Sequence, residues 1–451
     1  MMNSSSTPSI PDAPAPSGDD ECHRQTLRRA ASASFIGNFI EWFDYASYGY
    51  LATVIGIVFF PESDASVRLM STFAVFAMSF VLRPVGAVIW GMWGDRWGRR
   101  WALSWSILIM SGSTFLVGLL PGYSSIGIAA PLALLVLRII QGFSASGEYA
   151  GAATFLAEYA PTERRGVYTS LVPASTAAGL LGGSLMVTGL HFFLDAAQMQ
   201  AWGWRIPFLL ALPLGFIGRY IRVHLEDSPV FQELVESSSR ASTRHSSPLR
   251  DLLRHHWRAV LISFGVSSLN AVAFYLLLSY MPTYVHEELG LGETISTGLS
   301  SATLVIYILA ISLMGRFSDR FGRRRMLVLA SVGFIVASVP IFWLMGFGSI
   351  GVILGCEIAF ALMLTMNDGT LATFLAESFP TQVRYSGFAL SFNAANALLG
   401  GTAPFIATTL IAWTGSRLAP AVYLAVIAAA ALGAMLCAHE NTGRDLVDIE
   451  G

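Results

Sequence analysis

GMWGDRWGRR, residues 91–100, returns as GRFSDRFGRR at residues 315–324. Each copy runs acid, arginine, aromatic, glycine, arginine, arginine, and each lies between apolar runs of bilayer-spanning length, about 20 residues. A second echo follows in the same order: Phe155-Leu156-Ala157-Glu158 with Pro161-Thr162 returns as Phe374-Leu375-Ala376-Glu377 with Pro380-Thr381. One match arises easily by chance. Two at nearly the same offset argue for a duplicated helical bundle, the organisation expected when a central site is exposed alternately to either side of a membrane. The repeat does not identify cargo.

The composition agrees with a membrane setting. The chain of 451 residues is 54% hydrophobic and 12% charged, with a mean hydropathy of +0.59, against the about 25% charged residues of soluble domains. Apolar runs predict about twelve spans and leave little room for a soluble catalytic domain. The expected fold class is therefore an all-α polytopic membrane protein. A polar break between His224 and His256, containing SSSRASTRHSSPLR, divides the chain. The expected organisation is a flexible cytoplasmic tail over 1–33, a six-helix bundle over 34–222, a cytoplasmic linker over 223–256, a second six-helix bundle over 257–438 and a short cytoplasmic tail over 439–451. The first 20 residues lack an apolar core and read as that tail, not as a cleaved signal peptide.

Arginine placement sets the orientation. Arg24, Arg28, Arg29, Arg164, Arg165, Arg240, Arg244 and Arg250, with the arginines of both repeats, fall on one side of this topology; the other side has little beyond Arg68 and Arg417. Both termini are expected in the cytoplasm. No lysine is present and the formal net charge is -2, so nothing argues for nucleic acid. Cys22, Cys356 and Cys437 stand far apart and offer neither a disulfide framework nor a metal cluster.

The repeated stretch Gly91 through Arg100, with its second copy at Gly315 through Arg324, resembles the signature between helices two and three of the major facilitator superfamily. The resemblance covers Ser34 to His439 and implies two pseudo-symmetric six-helix bundles. It also implies a cytoplasmic gate that uses Asp95, Arg96, Gly98 and Arg99, and in the second copy Asp319, Arg320, Gly322 and Arg323. The glycines permit a tight turn, and the arginines hold the loops among anionic headgroups. A carboxylate there can favour a helix N-terminus in one conformation. Gly37-Asn38, Glu41-Trp42-Phe43-Asp44, Arg83-Pro84, Gln141-Gly142-Phe143-Ser144, Gly147-Glu148-Tyr149 and Trp202 through Phe208 resemble the metabolite:proton symporters. Phe274 through Tyr284 is similar to their proline and glycine-betaine branch, whereas Asn367-Asp368-Gly369 departs from it. The resemblance implies proton-coupled import of a small zwitterionic osmolyte. The alternative is a dicarboxylate or tricarboxylate symporter on the same scaffold. Its partners are then protons, the solute and membrane lipids, in a bacterial-type inner membrane, with no cofactor and no obligatory protein partner.

Polar residues within the spans are the candidate site. On a helix Glu41, Asp44, Tyr45 and Tyr48 share one broad face, which points into a bundle and not at lipid. They can bind a cationic head, relay a proton or pair with arginine; the phenols offer faces on which a quaternary ammonium can stack. Buried packing with fixed ion pairs is the plainer reading. Arg138, Gln141 and Glu148 occupy one side of the fourth span. The resemblance makes Arg138 and Glu148 proton-coupling candidates; Asp44, from its place on the shared face, and Asp368, an acid within the tenth span, are proton-coupling candidates with them. Asn270, Tyr275, Tyr280, Asn393 and Asn396 can face a central cavity and orient cargo without a full charge. Glu158 and Glu377 suit inner helix ends, and Arg83 suits a buried helix anchor.

An integral membrane enzyme would need a coherent reactive centre. The histidines are scattered and form no nucleophilic or metal-binding motif. No phosphate-cradling loop followed by lysine is present, so ATP is not the expected direct energy source. A secondary transporter fits best, with a receptor built on the same cavity as the remaining alternative.

Overall fold

Lipid offers no partner for a backbone N–H or C=O, so a chain that crosses it closes these bonds within each helix. The computed structural model describes residues 18–87, 89–90, 99–223, 252, 254–380 and 383–446, and within them every regular element is helical. The membrane-crossing elements are α1 Gly18–Tyr50, α2 Ala65–Ala87, α3 Arg99–Leu119, α4 Ala129–Glu158, α5 Thr162–Phe193, α6 Ala196–Tyr220, α7 Trp257–Glu287, α8 Glu293–Phe321, α9 Arg323–Met345, α10 Ile350–Ala376, α11 Arg384–Thr414 and α12 Ala419–Cys437. Ten of these are long and apolar enough to cross a membrane by length and composition, against about twelve predicted spans. The other two are α1 and α3. Charges crowd the start of α1, whose apolar course continues past a break at Leu51 as a short helix, Ala52–Phe59. The apolar part of α3 is only Ser104–Leu119.

Small residues set the packing. α1 lies on α5, α2 on α4 and α3 on α6; in the second half α8 lies on α10, α9 on α12 and α7 on α11 and α12. A Cβ at Gly179 of α5 would stand 2.5 Å from the Phe39 carbonyl oxygen of α1, and one at Gly183 would stand 2.6 Å from Ala46 Cβ. Such close approach is how helices gain contact where lipid removes the hydrophobic drive. The two halves of the chain meet where α5 lies on α8, α2 on α11 and α1 on α7.

Among the described residues three helices carry a π-helical stretch, and two of these bear on the site. Residues Tyr275–Tyr280 of α7 and Asn396–Gly400 of α11 are π-helical, each upstream of a proline, Pro282 and Pro404. Proline lacks the N–H that would reach the carbonyl four residues back. For Pro282 that carbonyl is Leu278, which instead accepts the Tyr50 hydroxyl of α1 at 2.7 Å. The two π stretches touch: a Cβ at Gly400 would stand 2.9 Å from the Tyr275 ring.

A Cβ at Gly142 of α4 would overlap the Ser79 backbone carbonyl of α2, whereas Gly112 of α3 has open space around it. Gly142→Ala is expected to lower the thermal midpoint of the purified protein by forcing α2 and α4 apart, overpacking of roughly 1–3 kcal/mol. Gly112→Ala is expected to raise it slightly, since glycine within a helix costs roughly 0.5–1 kcal/mol.

Candidate transport site

Glu41 and Asp44, on α1, are 1% and 2% exposed, so neither faces lipid. Each meets an arginine from another helix of the first half. Arg83 Nη2 donates to Glu41 Oε1 at 2.6 Å, and Arg138 Nη1 donates to Asp44 Oδ2 at 3.1 Å. Gln141 orders the second pair: its Oε1 accepts from Arg138 at 2.9 Å, while its Nε2 donates to Asp44 Oδ2 at 3.1 Å and to the Thr114 hydroxyl. Arg138 Nε and Nη2 and Asp44 Oδ1 are buried without a hydrogen-bond partner among the described residues. A buried pair is strained by such unmet groups and responds strongly to losing one member.

The phenols of the same face serve these arginines. The Arg138 guanidinium lies 3.7 Å from the Tyr48 ring centre, and Arg83 lies 4.9 Å from that of Tyr45 and 4.5 Å from that of Phe80. The aromatic faces expected to receive a quaternary ammonium therefore carry resident cations. Tyr48 Oη also donates to the Thr72 carbonyl at 3.0 Å. Glu148 is buried where a 3₁₀ turn, Ala145–Gly147, interrupts α4. Arg138 stands about 15 Å from it along the helix axis, and the arginine's carboxylate partner is Asp44.

A small cavity lies between the halves, lined by Trp42, Tyr149, Pro173, Thr176, Asn270, Phe274, Asp368, Phe392 and Asn396. Its volume, about 10 Å³ measured to the centre of a water-sized sphere, leaves room for roughly one water. Two aromatic pairs wall it. Trp42 of α1 meets Phe274 of α7 edge-on, with ring centres 4.9 Å apart and planes at 68°. Tyr149 of α4 stacks on Phe392 of α11 at 4.5 Å and 7°. Asp368 accepts the Tyr307 hydroxyl, and Asn270 lies beside it with its Nδ2 buried and outside hydrogen-bond geometry.

Of the predicted site residues, Asn270, Asp368 and Asn396 come together at this cavity. Tyr275 is packed among Trp42, Phe76 and Phe80, and Tyr280 rests on Phe73 and Tyr284. Asn393 instead ties the halves, donating to the Ser146 carbonyl of α4 at 3.2 Å. The wider turn of the π stretch in α7 explains Tyr280, because the extra residue rotates everything after it. Trp42, Tyr149, Thr176 and Phe392 also line this cavity, beyond the sequence-based expectation. Three of these neighbour a candidate residue, namely Glu41, Glu148 and Asn393, and one residue along a helix turns the side chain by about 100°. The available signal was helical spacing: Asn270 with Phe274, and Phe392 with Asn396, stand four apart and share a face.

At the arginine-rich end a network closes across the halves. Asp319 of α8 accepts from the backbone N–H groups of Gly166 (2.8 Å) and Val167 (3.2 Å) in the first turns of α5, and it pairs with Arg323 at 2.7 Å. Glu377 holds Arg165 of the first half at 2.8 Å and Arg323 of its own half at 3.3 Å. Its counterpart in the repeat, Glu158, holds Arg384 at 3.1 Å. Arg165 and Arg384 follow the two echoes at the same spacing, and their Nε atoms donate to the matching carbonyls of Ala157 and Ala376. The last described residues join in: Asn441 donates to the Glu377 carbonyl, while Arg165 and Arg384 reach the carbonyls of Arg444 and Leu446. Gly322 turns at φ +95°, a conformation that requires glycine, and Arg320 is exposed. Asp95, Arg96 and Gly98 lie outside the described residues, as does the side chain of Arg99, whose backbone opens α3. At the opposite end, Thr53 donates to Glu287 at 3.0 Å and Ser184 meets Ser301 at 2.7 Å, so the halves touch there too.

A model of the Major Facilitator Superfamily matches residues 34–404. The proline/betaine transporter of Escherichia coli K12 is 38% identical over 425 residues, covering 93% of this chain and 85% of that protein. The glycine betaine/proline/ectoine/pipecolic acid transporter OusA of Dickeya dadantii is 38% identical with the same coverage. Among solved structures, the xylose transporter XylE from E. coli, in a partially occluded inward-open conformation, superposes with a TM-score of 0.71 at 17% identity, covering 93% of this chain and 100% of that one. That likeness concerns the fold. With the repeated loop, the helical architecture and relatives matched over nearly its whole length, the chain belongs to the major facilitator superfamily, as a multi-pass membrane transporter related to the bacterial proline/betaine carriers.

Proposed function

We propose that the chain is a proton-coupled symporter that imports a small zwitterionic osmolyte, of the proline or glycine-betaine class, by alternating access. It would sit in a bacterial inner membrane with both termini in the cytoplasm, the side on which its arginines gather. The observation that carries the cargo assignment is the cavity lining. It combines four aromatic side chains, two amides, a hydroxyl and one carboxylate, and no arginine, lysine or histidine is among the described lining residues. A dicarboxylate or tricarboxylate would bring two or three negative charges to Asp368 with no cation to receive them, whereas a zwitterion presents its ammonium to the rings and acid and its carboxylate to the amides.

Proton dependence is assigned to Asp44 and Glu148, with Arg138 as the charge that Asp44 exchanges for a proton. Protonating Asp44 would release Arg138 from its carboxylate partner, and a change of partner is what lets a buried acid gain from the rocking of the halves. Glu41 with Arg83 lies beside this pair and holds α1 to α2 near the cargo path. The gate role falls to Asp319, Gly322 and Arg323, supported by the crossing from Asp319 to α5, and by analogy to the first copy at Asp95, Arg96, Gly98 and Arg99.

Reconstituted in liposomes, the protein is expected to accumulate proline or glycine betaine under an inwardly directed proton gradient. Accumulation of an organic acid with neither osmolyte taken up would overturn the cargo assignment. Asp44→Asn and Glu148→Gln, compared at equal density, are expected to lose gradient-driven accumulation by an order of magnitude while retaining solute exchange without a gradient. Normal accumulation in both variants would remove these acids from coupling.

Glu377→Gln leaves buried Arg165 without a carboxylate partner among the described residues and Arg323 with Asp319 alone, a loss of about 3–5 kcal/mol for breaking a buried pair. It is expected to open the arginine-rich end, read as faster labelling of a cysteine placed at Thr373, whose hydroxyl meets that of Thr169 across the halves. Glu158 is 38% exposed in its pair, so Glu158→Gln is expected to cost only about 0–1 kcal/mol and to change labelling little.

A further inference from the structure

Several buried acids of this chain are met by arginine, and Glu357, which lies away from the cavity, accepts the Thr303 hydroxyl at 2.9 Å. Glu41 has Arg83, Asp44 has Arg138, and Glu377 has Arg165 and Arg323. Asp368 is equally buried, yet its partners among the described residues are the Tyr307 hydroxyl and the neighbouring Asn270, and none is a cation. Arg83 and Arg138, the buried arginines of α2 and α4, are already committed to Glu41 and Asp44, and neither lines the cavity. A buried carboxylate without a countercharge is expensive to keep. This one lies in the cavity wall, with the ring pairs Trp42–Phe274 and Tyr149–Phe392 also lining the space. Aromatic faces around a carboxylate form the environment that holds a quaternary ammonium.

Resting on the transport reading above, we infer that the missing countercharge of Asp368 is the cargo's own cation, so that the cavity also takes quaternary ammonium cations that lack a carboxylate, the choline class. A zwitterion brings a carboxylate that must leave water for neutral donors with no cation among them, those of Trp42, Tyr149, Asn270, Asn396 and Thr176. A cation of the same head group avoids that desolvation and still neutralises Asp368. Each ring pair joins a helix of the first half to one of the second, so the space between them widens as the halves part. Asp368 is thus the specificity-determining residue for charge: it admits cations and zwitterions and rejects anions.

The test uses the full chain in lipid nanodiscs, with choline and glycine betaine titrated separately and in competition by calorimetry. Choline is expected to bind no more weakly than glycine betaine and to displace it. Asp368→Asn is expected to weaken choline binding at least about tenfold, while Asp368→Glu, which keeps the charge, holds it within about threefold. Monodispersity on size exclusion and the Asp368→Glu result separate a lost charge from a lost fold. If glycine betaine binds and choline neither binds nor displaces it, the inference is overturned and the transport reading stands. Choline binding that is equal in the wild type and Asp368→Asn overturns it as well, because the cation is then held elsewhere. Choline binding that depends on Asp368 without glycine betaine binding supports the inference and removes zwitterions from the proposed cargo. If neither compound binds while an organic acid accumulates in liposomes, both readings fall.

Discussion

A charge buried in a membrane protein has to be met by another charge or a dense set of hydrogen bonds, because neither lipid nor the packed interior solvates it. That constraint organises this transporter. Pairs contained within one half, Arg83–Glu41 and Arg138–Asp44, lock α1 to α2 and α4. Pairs that cross between the halves, Arg165–Glu377 and Arg384–Glu158, shut the arginine-rich end. The first kind survives a rigid rocking of one half against the other, while the second kind has to break. The same chemistry therefore serves as scaffold or as latch according to which helices it joins.

The latch is doubled because the chain is doubled. Each glutamate of the repeated segment takes an arginine from the other copy, and each of those arginines also holds a carbonyl of its own copy. The two arms are unequal in strength. Glu377 is deeply buried and shared by two arginines, whereas Glu158 is part-exposed. Water weakens the second arm more than the first.

The cavity depends on departures from regular helix. Pro282 leaves the Leu278 carbonyl to the Tyr50 hydroxyl, and the adjacent π stretch brings α7 against the π stretch of α11. Closure at both ends, with the aromatic pairs in contact between them, leaves the central space contracted. Local irregularity of this kind is tolerated at membrane depth where it is buried in protein or lines a cavity.

Helical class, the duplicated loops and the burial of Glu41 and Asp44 follow from the order of residues alone, since a bilayer demands long apolar helices and a repeat is visible as text. The family was legible for the same reason. Asn270, Asp368 and Asn396 were legible as cavity residues because polar groups inside apolar spans have few other places to go. Tertiary structure alone decided the partners. Nothing in the spacing of Tyr45 and Tyr48 says that their rings lie under Arg83 and Arg138 and not under cargo. Nor does it say that Asn393 turns to α4 or that Trp42, Tyr149 and Phe392 wall the cavity. Which face of a helix meets which neighbour depends on rotation and crossing, and a shift of one residue, or one π turn, moves a side chain by about 100°. The sequence specifies which charges need partners; the packing of distant helices chooses them.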